Sequence, residues 1–353
     1  MAISIARLQR EDFEAFSRLA RDSSGRGSLS FSPEYVEFPD DADRALGLDG
    51  ETYAAHVDGT LVGAAKIAFD RVQYEGHIRP AALLGGLVVH PRHRRQGIAA
   101  ALTRHRVARA AERCGPDALL VANLSQGQAA SLAATASWQT AESRPFARAT
   151  VRLSPNARTP DGPWTVRPAG LDDLEEVAAR LTQFWGSANF HRPRSAQQLA
   201  AWVSGAPQGA APGAASAPRV YLVSEDPSGR IVAGLGITYL YQYLAISVVA
   251  LPLWMRVANR VVHALPDDRV IRPAAVDLVF LDPEDLGPAQ HLWDTVKQQW
   301  AREATSLVLS FDPTGPLAPL AQAVRIRSGT MMQTAIRAGE PPDPSRPLAP
   351  WVL

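Results

Sequence analysis

The densest set of groups able to do chemistry lies in residues 83–102. An apolar run from Leu83 to Val89 leads into His90-Pro91-Arg92-His93-Arg94-Arg95-Gln96-Gly97. Ile98-Ala99-Ala100-Ala101-Leu102 then begins an Ala-rich helix. A strand feeding a basic, glycine-containing loop that opens into a helix points several backbone N–H groups, and the positive end of the helix dipole, at one spot. Such a spot binds phosphate. Gly97 has no Cβ, so a bulky anion can come close to the backbone. Ala99 and Ala100 keep the first turn small for the same reason. The N–H groups of residues 95–99 lack intrahelical acceptors, and Arg94 or Arg95 adds a charge-assisted contact.

The elements that must hold this loop fit an ordinary globular chain. The sequence has 353 residues, 46% of them hydrophobic and 20% charged. That length suits two domains of about 150–180 residues. A net charge of +1 excludes a general nucleic-acid binder. Cys114, the single cysteine, cannot form an intrachain disulfide. No basic stretch followed by a long apolar core opens the chain, so a cytoplasmic protein is expected. Residues 239–262 are the most apolar segment, but Pro252 and several polar residues interrupt it. It reads as a buried strand and an amphipathic helix rather than a membrane span, with a homodimer interface as the functional alternative.

The chain repeats itself. Ile5-Ala-Arg7 followed by Glu11-Asp12-Phe13 resembles Val166-Arg167-Pro168 followed by Asp172-Asp173-Leu174. Each is a short strand, a turn, and an amphipathic helix with acidic residues in its first turn. A polar, irregular stretch follows in each half, residues 23–50 and 185–218, the second containing a low-complexity run at 205–216. Then comes a hairpin pattern, with Asp58-Gly59 at the turn of the first. A strand ending in Pro91 or Pro283, a helix and a further strand complete each half. The expectation is an α/β (α+β) fold of two tandem domains, residues 1–153 and 165–353, joined by a Pro-rich linker at 154–164. Each is expected to hold a mixed central sheet flanked by helices.

The run Arg94-Arg-Gln-Gly97-Ile-Ala99 after Leu87-Val-Val-His-Pro91 resembles the GCN5-related N-acetyltransferase (GNAT) superfamily. Asn123 at the end of the next strand supports the likeness, as does Ala130-Ser-Leu-Ala-Ala-Thr-Ala-Ser137-Trp138. The resemblance covers residues 5–153. It implies acetyl-CoA as acyl donor, with its pyrophosphate on the backbone of Arg94, Arg95, Gln96, Gly97, Ile98 and Ala99. It further implies pantetheine pairing along Leu87, Val88 and Val89, and Asn123 near the thioester or arm. The family's Tyr, often the general acid, falls at Ala133, which cannot donate a proton; Ser131 is a candidate substitute. The second half resembles the same superfamily more weakly. Matching Pro91 with Pro283 puts Ala289 in place of Gly97, Pro288 removes a donor, and Glu284 and Asp285 add negative charge. That copy is expected to have lost the cofactor.

Acetylating an amine requires a base, and residues 83–89 contain no acid. Candidates on the flanking loops are Glu34, Tyr35, Glu37, Asp40 and Asp41, and then Tyr74, Glu75 and His77. Each is equally readable as a solvated loop charge, and His90 and His93 as anion-side or solvent-facing groups. The stretch from Trp185 to Arg192 either lines a cleft between the domains or packs as a helix end. No metal-ligand spacing is present. The expected partner is a small-molecule or peptide amine, with neither nucleic acid nor membrane. A non-catalytic CoA-binding or interaction protein on the same fold is the alternative.

Overall fold

Apolar spacing of three and four in Phe16, Leu19 and Ala20 buries one face of a helix, and the strands around them supply the surface it needs. In a computed structural model of the chain, residues 2–23, 30–126, 134–153, 161–204, 219–262, 265–326 and 329–351 are described. The first half runs β1 (Ile3–Arg7), α1 (Phe13–Asp22), β2 (Ser30–Tyr35), α2 (Pro39–Ala45), β3 (Asp49–Val57), β4 (Thr60–Tyr74), β5 (His77–Val89), α3 (Ile98–Cys114), β6 (Leu119–Ser125), β7 (Ala141–Glu142) and β8 (Phe146–Arg152). The second runs β9 (Thr165–Pro168), α4 (Leu174–Trp185), α5 (Ala196–Ser204), β10 (Arg219–Glu225), β11 (Ile231–Thr238), β12 (Leu244–Ala250), α6 (Leu253–Val262) and β13 (Val270–Ile271). It ends with β14 (Pro273–Phe280), α7 (Gly287–Trp300), β15 (Ser306–Phe311), α8 (Ala318–Ala323) and β16 (Thr330–Arg337). The order of strand, helix, hairpin, strand, helix and strand recurs in both halves, giving the expected mixed α/β architecture.

Among the described residues one large sheet has the order β1-β3-β4-β5-β6-β16-β8-β15-β14-β11-β10-β9, with β7 on β16. The last strands of the two halves trade places. β16 pairs antiparallel with β6, Met332 opposite Ser125 through Arg337 opposite Leu120. β8 pairs with β15, Arg152 opposite Ser306 through Ala147 opposite Phe311. The ladder therefore runs unbroken from one half into the other. Ala147, Ala149 and Leu153 share a core with Leu307, Leu309 and Trp293.

Two stretches read as irregular are built. Residues 23–50 contain β2 and α2, and residues 185–218 contain α5; the run at 205–216 lies outside the described residues. β2 has little strand pattern of its own. It is held by β12 from the other half, Tyr35 opposite Leu244. α2 starts on Pro39 with Asp40 and Asp41 in its first turn, a favourable helix start. α5 starts on a capping box: Ser195 N donates to Gln198 Oε1 at 2.9 Å and Gln198 N to Ser195 Oγ at 3.2 Å. The strand expected to be buried within 239–262 is not. β12 lies in a separate sheet with β2 and β13, and Val249 is 62% exposed. On α6, Leu253, Trp254 and Val257 are exposed as well. No helix among the described residues is long and apolar enough to cross a membrane.

α3 packs Ile98, Leu102 and Ala110 onto Val62, Ala65 and Ile67. Its far end is fixed by Glu51 of β3, which is 2% exposed. That carboxylate accepts from Arg109 Nε and Nη2, both at 2.9 Å, from Arg113 Nη1 at 3.2 Å and from Tyr53 Oη at 2.7 Å. The Arg109 hydrogen bonds, assisted by Tyr53, hold Glu51 down at about 2. A carboxyl with a depressed folded pKa stabilises the fold above its unfolded value, and that contribution is lost as pH falls through the folded one. Between about pH 4.5 and 2 the melting temperature should therefore drop more steeply for the natural protein than for Glu51→Gln, as followed by circular dichroism. Parallel pH slopes would show that Glu51 is not the titrating anchor.

Candidate active site

The loop between β5 and α3 has two left-handed residues, Arg95 (φ 61°) and Gly97 (φ 80°). Left-handed residues in such a turn fold successive N–H groups towards one concavity, an anion-binding arrangement. Side chains brace the loop from behind. Arg94 donates from Nε to Val89 O and from Nη2 to Ser23 O, both at 3.3 Å. Gln96 Nε2 donates to Arg92 O at 3.3 Å, and His90 Nδ1 accepts from Arg92 N at 3.3 Å. Arg94 thus ties the loop to β5 and the end of α1. Arg95, Gln96 and Gly97 are exposed while Ile98 is buried. The first helical bond runs from Ala101 N to Gly97 O at 2.9 Å, which leaves the N–H groups of Ile98, Ala99 and Ala100 directed out of the helix end. A Cβ on Gly97 would meet no atom within 4 Å. A side chain there costs only backbone strain, about 1–2 kcal/mol.

β5 leaves its parallel neighbour early. It pairs with β6 only over Ala81–Leu83 against Leu119–Val121. Val88 and Val89 still pair with β4 through Ala64 and Gly63, so beyond Leu83 the edge of β5 facing β6 carries no ladder. The register with β4 shifts between Ala64 and Lys66, and Gly86 at φ 58° supplies the bulge. A Cβ on Gly86 would sit 3.2 Å from Lys66 Cβ. Arg106 reaches in from α3, Nη1 donating to Lys66 O and Gly85 O, both at 2.9 Å. Burial pushes this guanidinium down to about 10. Asn123, on β6 across the gap, is committed: Nδ2 donates to Trp351 O at 2.6 Å and Oδ1 accepts from Thr334 Oγ1 at 2.9 Å. Its amide organises the C-terminal tail instead of standing free for a ligand.

The sheet face turned away from α3 holds polar groups beside the bulge. Ala65, Ile67 and Phe69 pack towards α3, and Ala64 and Ala68 pack on the opposite side. Lys66, opposite Gly85, binds Asp43 of α2. Asp43 is 1% exposed and burial raises its pKa above the usual carboxylate range. Among the described residues its Oδ2 has no partner. Tyr35 packs on Phe16 at 4.9 Å between ring centroids, and burial with the Asp43 charge raises its pKa. Asp43 and Lys66 were not among the sequence candidates. Their signal was an isolated Lys in an apolar strand of a chain whose other cations are, with one exception, Arg.

The other candidates go elsewhere. Glu34 is on the exposed side of β2, bonded by Ser247 Oγ. Asp40 accepts from Arg7 at 2.9 Å and from Thr52 N at 3.0 Å, a structural clasp. Glu37 and Asp41 line an outer cleft of about 450 Å³ with Arg10 and Phe38. Tyr74, Glu75 and His77 form the far tip of the β4–β5 hairpin. Glu75 lies about ten residues, roughly 35 Å of strand, from the bulge. It accepts from Asn189 Nδ2 at 2.6 Å and Asp343 N at 2.9 Å, so it joins the halves and cannot be the base. Ser131 and Ala133 lie outside the described residues.

The second half has the same bulge, closed. Leu278 takes φ 48° where the Pro91–Pro283 match places Gly86, and the β11–β14 register shifts there. Tyr221 Oη donates to Leu278 O at 2.8 Å and Trp185 Nε1 donates to Val279 O at 2.8 Å. The indole of Trp185 thus occupies the edge that is open in the first half, and the stretch after it turns inwards to stack His191 on Trp185. At the start of α7, Asp285 Oδ1 already accepts from Gly287 N at 3.0 Å, and Trp164 covers Gly287 so closely that a Cβ would be 2.6 Å from its ring. Ala289 is buried in the helix. An anion finds a carboxylate and an indole where the first half has free N–H groups.

The sequence profile of the acetyltransferase (GNAT) family matches residues 10–134. Among curated proteins none matches this chain in sequence. Among solved structures, Saccharomyces cerevisiae N-myristoyltransferase with bound myristoyl-CoA superposes with a TM-score of 0.66 at 9% identity, over 99% of this chain and 89% of that one. A tandem GNAT protein from the clavulanic acid biosynthesis pathway superposes with a TM-score of 0.55 at 13% identity, over 95% of this chain and 98% of that one. At such identities the likeness speaks for the fold, and it spans both halves. Residues 10–134 thus match the GNAT family, and over both halves the chain has the fold of a tandem GNAT protein.

Proposed function

We propose that this protein is an acetyl-CoA-dependent N-acetyltransferase with a single donor site, in residues 1–153, and an amine of a small molecule or peptide as acceptor. Residues 165–353 support that site and wall off the acceptor side. The observation that carries the reading is the left-handed pair Arg95 and Gly97 at the mouth of an unpaired β5 edge. The backbone of residues 94–99 holds the pyrophosphate, and the edge of Leu87, Val88 and Val89 pairs with the pantetheine arm. Backbone donors at the bulge polarise the thioester carbonyl. The amine nitrogen bonds to the acyl carbon as the carbon–sulfur bond breaks. Asp43, which binds the Lys66 opposite Gly85, takes the amine proton, directly or through water.

Acetyl-CoA or CoA should raise the melting temperature, and free thiol should appear when a suitable amine is added. Gly97→Glu puts a carboxylate against the anion site and should remove the CoA-dependent rise, whereas Glu284→Arg, at the exposed counterpart loop of the second half, should leave it unchanged. Equal loss in both variants would sink the one-site assignment. A rise in melting temperature without thiol release over a broad amine panel would leave a CoA-binding module.

Asp43→Asn should keep the CoA-dependent rise and lower kcat by about 10²-fold or more, the scale of a lost general base. Because burial raises the Asp43 pKa and the base works ionised, kcat should fall as pH drops, with an inflection above the ordinary carboxylate value. A pH profile unchanged by Asp43→Asn would remove Asp43 from that role.

A further inference from the structure

A group of charges unconnected with donor binding meets where the halves join. Arg192 and Arg194 share Asp70 of β4, at 3.6 and 2.7 Å. Arg219, at the start of β10, is 5% exposed and has no carboxylate within ion-pair distance among the described residues. Its Nη1 makes one long bond, 3.3 Å to Trp202 O; its guanidinium lies 5.1 Å from the Trp202 ring centroid; and its Nε has no partner. Burial pushes it down to about 10. Asp277, on the bulge of β14, has a buried Oδ1 without a partner and is raised to about 6 by burial, although Arg192, Arg219 and Arg194 all pull it down. Three cations thus face two carboxylates, and Arg219 and Asp277 sense each other's field without bonding. A buried guanidinium normally has hydrogen bonds to most of its donors.

We propose that this junction holds the carboxylate of the acceptor, on Arg219 with Arg192, so that the acceptor is an amine that also carries a carboxylate. The inference rests on the acyltransferase reading above. A guanidinium fork matches a carboxylate with paired hydrogen bonds. Asp277 offsets the remaining positive charge, and Arg192 and Arg194, each about one-fifth exposed, leave the group open to solvent. The junction also lies within reach of the thioester position. A Cβ on Gly47 would be 3.3 Å from Arg219 Nη1. Gly47 is one helical turn, about 6 Å, past Asp43, which binds the Lys66 that faces Gly85. Asp70, which Arg192 and Arg194 share, pairs with Ala81, four residues or about 13 Å along the strand from Gly85, the span of about four extended residues. Short peptides with a free C-terminus fit that spacing.

The test compares di- and tripeptides as free acids with the same peptides as C-terminal amides. Two readouts are used: melting temperature with and without CoA, and thiol release from acetyl-CoA. The acids should stabilise the protein and show a KM at least tenfold lower than the amides. Arg219→Gln should raise the KM of the acids at least tenfold, leave the amides and the CoA-dependent rise unchanged, and Arg219→Lys should recover part of the loss. Acids and amides that behave alike in the natural protein overturn the proposal without needing any variant to fold well, and so does equal loss of both in an Arg219→Gln protein that keeps its CoA-dependent rise. The same holds if neither set binds while CoA still stabilises, and the donor reading then stands. If CoA fails to stabilise, the donor reading falls, and the acid–amide difference in melting temperature still decides this one.

Discussion

Opening a parallel pair of strands leaves backbone groups without ladder partners, and each needs another donor or acceptor. The whole site follows from how that demand is met. In the first half β5 parts from β6 after Leu83, and at the β4–β5 bulge beside that opening Arg106 reaches in from α3 to bond the carbonyls of Lys66 and Gly85. The donor arrives from the helix side, so the edge of β5 facing β6 stays open. In the second half β14 and β15 part after Val276 and Leu309, but Tyr221 and Trp185 supply the donors. Trp185 does so from within the gap. One constraint, met in two ways, leaves an unpaired strand edge in one copy and a packed core in the other.

The second copy is retained because the first cannot be finished without it. β16 lies between β6 and β8, so the neighbour of β6 comes from the far end of the chain. That strand brings Thr334 to Asn123, and the tail beyond it brings Trp351. Trp351 then packs with Leu83, Val121 and Phe190 on the face beside the bulge, and Arg192 lies 5.9 Å from its ring centroid. The face beside the bulge is therefore covered in part by the second half. A chain cut at the linker would leave β6 with an unpaired edge and this face uncovered.

Local chemistry was legible in the sequence and distant pairing was not. The loop, the strand before it and the helix after it depend on adjacent residues, and Gly97 takes the left-handed conformation that its lack of a Cβ allows. The Pro91–Pro283 match was sound enough to align two bulges, Gly86 and Leu278, neither of which was singled out from sequence. β2 was missed because its partner, β12, is more than two hundred residues away. Asp43 was missed for the same reason: nothing near it in the chain points to Lys66. Glu75 was mistaken for a base because closeness to β5 in sequence is not closeness to the open end of β5. A hairpin carries one end of a strand away from the other.

Four arginines separate structural from functional charge. Arg109 and Arg113 surround Glu51, and their donors meet carboxylate oxygens at hydrogen-bond distance. Arg106 has no carboxylate, but its Nη1 bonds two carbonyls at the bulge, both at 2.9 Å, which accounts for its place in the fold although its Nε has no partner among the described residues. Among the described residues Arg219 has neither: one long bond to a carbonyl, an aromatic face, and a carboxylate that it feels without touching. Desolvating a cation without full hydrogen bonding costs stability, and an apolar side chain at that position would avoid the cost. Folding therefore gives no account of Arg219. The proposed acceptor carboxylate would give one, because, arriving from solvent, it would complete both the charge and the hydrogen bonds that the described residues leave unfilled.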